Sequence, residues 1–555
     1  MCEIKAKQLE MKVKANKTEL HKNFWMVLPW IWLALMFVIY IVYLNAHATQ
    51  HLDADMSSEM VLSHLLSEEG GILSENWYYS TELRVVNTQL VLSFFFRIFN
   101  SWHLIRIFSS ATLMLILLAS FYYLCVQMGC RKYFPLAGSI LLIPFCSDYY
   151  DFVMLGLYYY PHISFTFISL GLVFHYGNAK RKWEQTAVLG AAFLVSMLAA
   201  LGGPRQILVT YLPMLLASCG CIFLQMSRNG FRKVTNQFWS EKTVSYAACS
   251  LFFMAGCFVG HRINTTILSV KYPFQHYFGL AWTEFSWDGL VTVFRGFLAM
   301  LGYSEGYVMS GTTIRNGVAL LFAVLLVWYI GQIIGKTQID EVLFVALTLF
   351  FGIGCYVILY AFTDMMYSQR YILPIMILII PLFACAMKYG LFSEGQDSSL
   401  TEKTSKLQMY LPMGILCCTF VSGLLFYQEK GRIDMTADLR SAVEAVKEDY
   451  STGYATFWNA NIVTELSDGK IDMYDWLDSK SPENLAYVDT LYEWLQVKRH
   501  HEHPDGKVFL LFTSEEFGRY TLCQRISKDD ALFDSGGYLV FGYDNYETMA
   551  EDLAK

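Results

Sequence analysis

The sequence predicts a mainly α fold: a polytopic transmembrane helical bundle of about eleven helices, with a small α/β soluble domain at its C-terminal end on the outer side. Three observations carry this. Apolar runs of spanning length recur between residues 24 and 427. Only 16% of residues are charged and 55% are hydrophobic, where soluble globular chains carry about a quarter charged. Past residue 430 the apolar runs shorten and become strand-like.

A spanning helix needs roughly 20 apolar residues. The candidate runs lie near 24–44, 104–128, 133–147, 152–176, 186–201, 206–226, 244–263, 316–335, 341–362, 371–388 and 408–427. The third is short and fits best as a tilted or partly buried helix. The first carries a cleavage-like Ala46-His47-Ala48, but its apolar core exceeds the roughly 7–15 residues of a signal h-region, so it is expected to stay as a helix. Orientation follows from lysine and arginine. The N-terminal arm holds Lys5, Lys7, Lys12, Lys14, Lys17 and Lys22, and Arg131-Lys132, Lys180-Arg181-Lys182, Arg228, Arg232, Lys233, Lys242, Lys336, Lys403 and Lys406 recur in alternate loops. This alternation places the N-terminus in the cytoplasm and the chain after residue 430 outside. Aromatics make up 16% of the chain, with 36 Tyr and 41 Phe, as suits belts at both interfaces.

The predicted organisation is a membrane module, 1–429, and an extracytoplasmic α/β domain, 430–555. Two outer loops are long, 46–103 and 264–315. In the first, Val85 to Phe99 is apolar but contains Arg97 and reads as an interfacial helix. In the second, Phe285 to Tyr303 is amphipathic and too interrupted to span. In the C-terminal domain Lys507–Phe512 and Tyr538–Phe541 read as strands, and Asp438–Asp449 and Pro482–Gln496 as helices.

Charged residues at outer helix ends are the candidates for chemistry, because holding charge near lipid is costly. Asp53 and Asp55, in His51-Leu52-Asp53-Ala54-Asp55, can share a divalent cation (Mg or Mn) or a base role; they suit equally the acidic start of a helix. A second acidic pair, Asp148 and Asp151, precedes Tyr158-Tyr159-Tyr160-Pro161-His162, where His162 and the carboxylates are candidates for an acceptor contact or, with Asp148, a metal ligand. Arg205 and Arg370, the latter followed by Tyr371, stand at outer helix ends, where a guanidinium can grip a phosphate or snorkel to headgroups. His500, His501 and His503 fall beside Pro504 and Gly506 and read as a turn before a strand rather than a metal site. Gly453 to Asn461 reads as an exposed turn and strand, an aromatic surface for glycan contact, or else as packed core.

Much is excluded. No basic patch with stacking aromatics points to nucleic acid. No P-loop, GxGxxG or GxSxG context appears, which argues against a nucleotide site, an ATP-driven pump or a lipase-type hydrolase. The 13 cysteines lie mostly in apolar runs and form no disulfide framework. Free cysteines outside, with no eukaryotic sorting signal, point to a bacterial plasma membrane.

Together these residues resemble the GT-C glycosyltransferase superfamily: an acidic outer loop after the first helix (Asp53, Asp55), an interfacial helix in that loop, a second acidic site (Asp148, Asp151), an outer Arg370-Tyr371 late in the chain, and a terminal soluble domain. The resemblance covers nearly the whole chain. It implies that Asp53 activates the acceptor with Asp55 supporting it or a metal, and that Arg370, helped by Arg205, holds the donor phosphate. It further implies that a polyprenyl-phosphate-linked sugar is moved, with inversion, to a glycan, lipid or protein acceptor. The soluble domain lacks a WWDYG signature, so asparagine glycosylation is not expected, and the spacing does not match protein O-mannosyltransferases. Two other classes fit the bare sequence: a transporter or flippase of a lipid-linked envelope precursor, and a non-catalytic envelope assembly protein.

Overall fold

In the computed structural model residues 26–229, 242–275, 280–306, 311–337, 339–389, 402–476, 492–520, 523 and 525–554 are described. The N-terminal lysine arm and most of the expected helix Pro482–Gln496 lie outside them, and residues 492–496 are not helical. Among the described residues nine helices are long and apolar enough to span, and one bent pair makes up to ten. The chain is a multi-pass membrane protein.

The first span, α1 (Met26–His51), leads within two residues into α2 (Ala54–Glu69), which lies in the first outer loop. Asp53 caps α2, and Gly70 ends it at φ 75, a left-handed conformation that glycine adopts without strain. The interfacial helix is α3 (Gln89–Phe96), shorter than expected, with Leu92 buried and Phe94 56% exposed, so one face meets the protein and the other lipid. There follow α4 (Trp102–Gln127), α5 (Tyr160–Asn178), α6 (Lys182–Ala200), α7 (Ile207–Arg228) and α8 (Lys242–Lys271). Next come α9 (Trp287–Met300), α10 (Thr312–Lys336), α11 (Asp340–Phe362), α12 (Gln369–Tyr389) and α13 (Tyr410–Lys430). The 14 residues of α9 cover about 21 Å, short of the ~30 Å hydrocarbon core. Val293, Gly296 and Met300 make its buried face, as the amphipathic pattern of the loop predicts.

The third apolar run departs from expectation. No continuous helix forms between α4 and α5; the chain returns through a 3-10 turn Arg131–Tyr133, a helical turn Phe134–Gly138, a 3-10 turn Ser139–Leu142 and a wide helical turn Tyr150–Leu155. Broken backbone at membrane depth is tolerable only where protein satisfies its polar groups. Here Ile140 to Ile143 are buried, and the Tyr149 and Tyr427 hydroxyls donate to the carbonyls of Leu141 (2.7 Å) and Leu142 (3.1 Å). Leu157, at φ 67, then turns the chain, and α5 leaves at 94° to Ser147–Leu155.

Beyond α13 lies the α/β domain: α14 (Ala437–Val446), β1 (Thr452–Ala455), α15 (Phe457–Leu466), β2 (Asp472–Asp475), β3 (Val508–Thr513), β4 (Phe533–Ser535) and β5 (Tyr538–Tyr543). The sheet order is β2-β1-β3-β5-β4, parallel through β3 and antiparallel beyond, with Tyr454 opposite Tyr474 and Leu510, and Leu511 opposite Val540. Alternation along β3 sends Leu510 and Phe512 into one core and Phe509 and Leu511 into the other. Leu52, from the turn between α1 and α2, packs in that second core with Leu439, Ala460 and Val463. The stretch Gly453–Asn461 is not an exposed turn. It holds the buried inner strand β1 and the start of α15, with Trp458 alone reaching solvent, at 61% exposure.

Candidate active site

The outer end of the bundle, the end that bears the α/β domain, encloses a polar cavity of about 110 Å³. It is lined from α2, the first outer loop, the turn before α5, the loop before α7, the start of α12 and the α/β domain's Trp494 and Leu495. Four predicted residues meet there: Asp55, Arg205, Arg370 and Tyr371.

The two carboxylates of Asp53-Ala54-Asp55 do not point together, because the helix begins between them and positions i and i+2 lie on different faces. Asp53 accepts the Met56 N–H at 2.7 Å as the cap of α2 and does not line the cavity. Burial pushes its carboxyl up to about 6; the Met56 N–H opposes this, Asp55 adds to it, Arg106 opposes it and Asp151 adds to it. Asp55, in the first turn of α2, reaches Arg370, Oδ2 to Nη1 3.4 Å. That contact is long for a charge-assisted bond, and the Arg370 side chain is 31% exposed, so most of its fork is free for another anion. Its guanidinium lies 5.1 Å from the Phe152 ring centre.

Arg205 is committed. Its Nη2 donates to both oxygens of Glu82 (3.1 and 3.2 Å), its Nη1 to the Tyr159 hydroxyl (3.1 Å), and its guanidinium lies 4.6 Å from the Tyr371 ring centre. Arg84 extends the chain of charges, 3.5 Å from Glu82 and 3.0 Å from Glu59. Burial acts to raise the Glu82 carboxyl, but Arg205 and Arg84 outweigh it and hold the group below the usual carboxylate range. Burial likewise acts to lower Arg205, and Glu82 more than compensates. Burial pushes Glu59 up, against the pull of Arg84. Of these, Glu82 and Arg84 are absent from the sequence reading. The signal was present as Glu82-Leu83-Arg84, two opposite charges just ahead of the interfacial helix.

The remaining predicted residues do not line the cavity. Asp151 accepts from the Ser147 hydroxyl at 2.9 Å and stands 3.8 Å from Lys430. Asp148 lies within electrostatic reach of Asp151, Arg370 and Lys430. His162 bonds Gln206, Nδ1 to Oε1 3.1 Å, and ties α5 to the residue after Arg205, a packing role. No three His, Cys, Asp or Glu side chains among the described residues stand close enough to share a metal ion, so Asp53, Asp55 and Asp148 do not form the three-carboxylate site their sequence positions allowed. In the α/β domain His500 is buried, stacked 4.1 Å on Tyr474 and bonded to Asp472 at 3.0 Å and Gln496 at 2.9 Å.

A second cavity of about 160 Å³ is almost wholly apolar and lies among α9, α10, α12 and α13, lined by residues such as Phe145, Met300, Tyr329, Met376 and Phe383. Helix α12 joins the two spaces, with Arg370 in its first turn and Met376, Ile380 and Phe383 further along.

No family model matches the sequence, and no curated protein matches it. Solved structures do share its fold. ArnT from Cupriavidus metallidurans bound to undecaprenyl phosphate superposes with TM-score 0.56 at 10% identity, covering 93% of this chain and 98% of that chain. The same protein in the apo state gives TM-score 0.53 at 10% identity, over 94% and 98%. At this identity the likeness establishes a shared fold.

Proposed function

We propose that this protein is a GT-C-type glycosyltransferase of a bacterial plasma membrane, moving a sugar from a polyprenyl-phosphate donor to a cell-surface glycan, lipid or protein acceptor at the outer face. One observation carries the reading: a part-free arginine, Arg370, and a carboxylate, Asp55, share a polar cavity at the head of the helix whose next turns line an apolar cavity. A phosphate at Arg370 would leave its isoprenoid chain beside α12. The structurally similar ArnT is bound to a lipid phosphate of this kind.

In this reading Arg370 grips the donor phosphate, displacing the weak contact with Asp55. Arg205, fixed by Glu82 and Tyr159, braces Tyr371 beside it. The acceptor hydroxyl gives its proton to Asp53, at the start of α2 and within electrostatic reach of Tyr158 in the cavity wall, and its raised pKa suits a base near neutral pH, while Asp55, inside the cavity, supports the developing charge. The acceptor oxygen bonds to the anomeric carbon as the carbon–oxygen bond to phosphate breaks, and polyprenyl phosphate leaves with the electron pair. The configuration inverts in this single displacement. The lipid carries the activated sugar, so no nucleotide is required.

A transporter would use discontinuous helices near mid-membrane. The chain has one broken crossing, but tyrosine hydroxyls satisfy its carbonyls and the ionised groups gather at the outer end. The deciding experiment incubates the purified protein with defined polyprenyl-phosphate sugars and follows loss of the lipid-linked sugar, for wild type, Asp53→Asn, Asp55→Asn and Arg370→Ala, with and without EDTA. Wild-type consumption, lost in Arg370→Ala and Asp53→Asn, supports the reading. Undiminished consumption in Asp53→Asn refutes that residue as base. Lipid translocation without sugar consumption refutes the enzyme.

A further inference from the structure

Arg106 is a charge within a spanning helix, and it is not in the cavity. It lies in the first turns of α4, and its partner, Glu465, belongs to α15 of the α/β domain. Both side chains are 3% exposed. The pair is bidentate: Nε donates to one carboxylate oxygen and Nη2 to the other, each at 2.7 Å. The remaining donors turn to backbone. Nη1 donates to the Leu155 carbonyl at 3.2 Å and Nη2 to the Met56 carbonyl at 3.4 Å.

Those two carbonyls belong to the two segments that carry acidic candidates. Met56 is in the first turn of α2, beside Asp53 and Asp55; Leu155 ends the turn that holds Asp151 and precedes Tyr158 and Tyr159. A buried ion pair is weak evidence of stabilisation, since apolar residues of similar volume commonly do as well. An apolar pair cannot donate to two carbonyls. The neighbouring contacts act in the same place: the Trp102 N–H donates to Asp468 at 2.7 Å, and Leu52 sits in the α/β core. On the other flank of α2 the backbone of Tyr78 exchanges hydrogen bonds with Leu495 and Gln496 (2.8 and 2.9 Å).

We propose that Glu465 is a positioning residue: through Arg106 the α/β domain sets the first turn of α2 against the turn before α5, so that the active site is complete only with that domain docked. This rests on the transferase reading for its consequence in turnover, but not for the linkage itself. Two variants test it in the full-length protein in nanodiscs: Glu465→Gln, and the volume-matched pair Arg106→Met with Glu465→Leu. Two quantities are read: amide hydrogen exchange of residues 54–69 with β3 and β5 as internal reference, and turnover of a polyprenyl-phosphate sugar.

The expected result, in the apolar double variant, is exchange of α2 faster by tenfold or more, β3 and β5 protection as in wild type, and kcat lower by about 100-fold with donor KM little changed, as a misplaced catalytic group predicts. If Glu465→Gln also loosens β3 and β5, the double variant alone decides. A double variant with wild-type exchange in α2, or with loosened α2 and wild-type kcat, overturns the proposal. If the wild type consumes no lipid-linked sugar, the transferase reading falls, and α2 exchange alone decides whether Glu465 positions that helix.

Discussion

Arg370 has one partner at 3.4 Å where Arg205 has a forked carboxylate and a hydroxyl, and this inequality assigns them different tasks. A free guanidinium can fork a phosphate; a lysine supplies the charge without the fork. Arg370→Lys is therefore expected to lower transfer by about 10-fold and Arg370→Ala by about 100-fold or more, at about 1.5–3 kcal/mol per bond to a charged group, read as kcat/KM for the lipid donor. Asp53 gives a pH signature. Its carboxyl sits near 6, so if it is the base, transfer rises with pH through that value and levels off above it. Asp53→Asn keeps the helix cap, since Asn caps as well as Asp, and removes the titrating limb. Stability moves the other way. The folded pKa exceeds the ordinary 3.8, so the folded state binds more protons between 3.8 and about 6, and stability falls as pH rises across that window. Melting curves for Asp53→Asn are expected to lose that slope.

The broken crossing between α4 and α5 shows what apolar runs tell about elements. Residues 133–147 read as a span because they are apolar, and they are apolar because protein surrounds them. That protein also supplies the hydrogen bonds a lipid-facing segment would need from its own helix. Tyr149 does this from eight residues along the chain and Tyr427 from 285, and no local pattern reveals the second. Tyr427→Phe and Tyr149→Phe each leave a buried carbonyl bare, and each is expected to lower stability by about 1–3 kcal/mol in thermal unfolding of the solubilised protein. In the α/β domain the strands β3 and β5 were legible from their apolar runs, but β1 was not. Its Gly-Tyr-Ala reads as a turn until the parallel neighbours β2 and β3 bury it on both sides. The histidine run conceals an ordinary pairing. Burial acts to raise Asp472, but His500 and then Arg499 outweigh it and bring the carboxyl down to about 2. Stability from this group is therefore complete above 3.8 and lost as pH falls towards 2, and Asp472→Asn is expected to flatten that acid slope in melting curves of the full chain.

At the scale of the molecule, the sequence carries the charges of the site but not their connections. Asp55, Arg205 and Arg370 stood out because each ends a helix at the outer face, whereas Glu59, Glu82 and Arg84 lie in a loop and inside a helix start, where charge is commonplace. Arg106 was the stronger signal, an ion inside an apolar span, and its partner is 359 residues away. The whole scheme requires cavity and α/β domain to face the cell exterior, which rests on the lysines of alternate loops. Two exposed positions test this. Ser535, on the edge strand β4, lies on the face assigned outside; Lys180, between α5 and α6, lies on the face assigned inside. A membrane-impermeant maleimide applied to intact cells is expected to label Ser535→Cys fully and Lys180→Cys only after permeabilisation. Among the described residues the native exposed cysteines, Cys219, Cys417 and Cys418, lie on the spanning helices α7 and α13, where lipid shields them from the reagent, and Cys523 is buried; Cys2 is replaced by serine in both variants. The reverse labelling pattern would put the cavity in the cytoplasm, where the interior lysines would then face outward against the charge rule, and the outer-face transfer scheme would fail with the orientation.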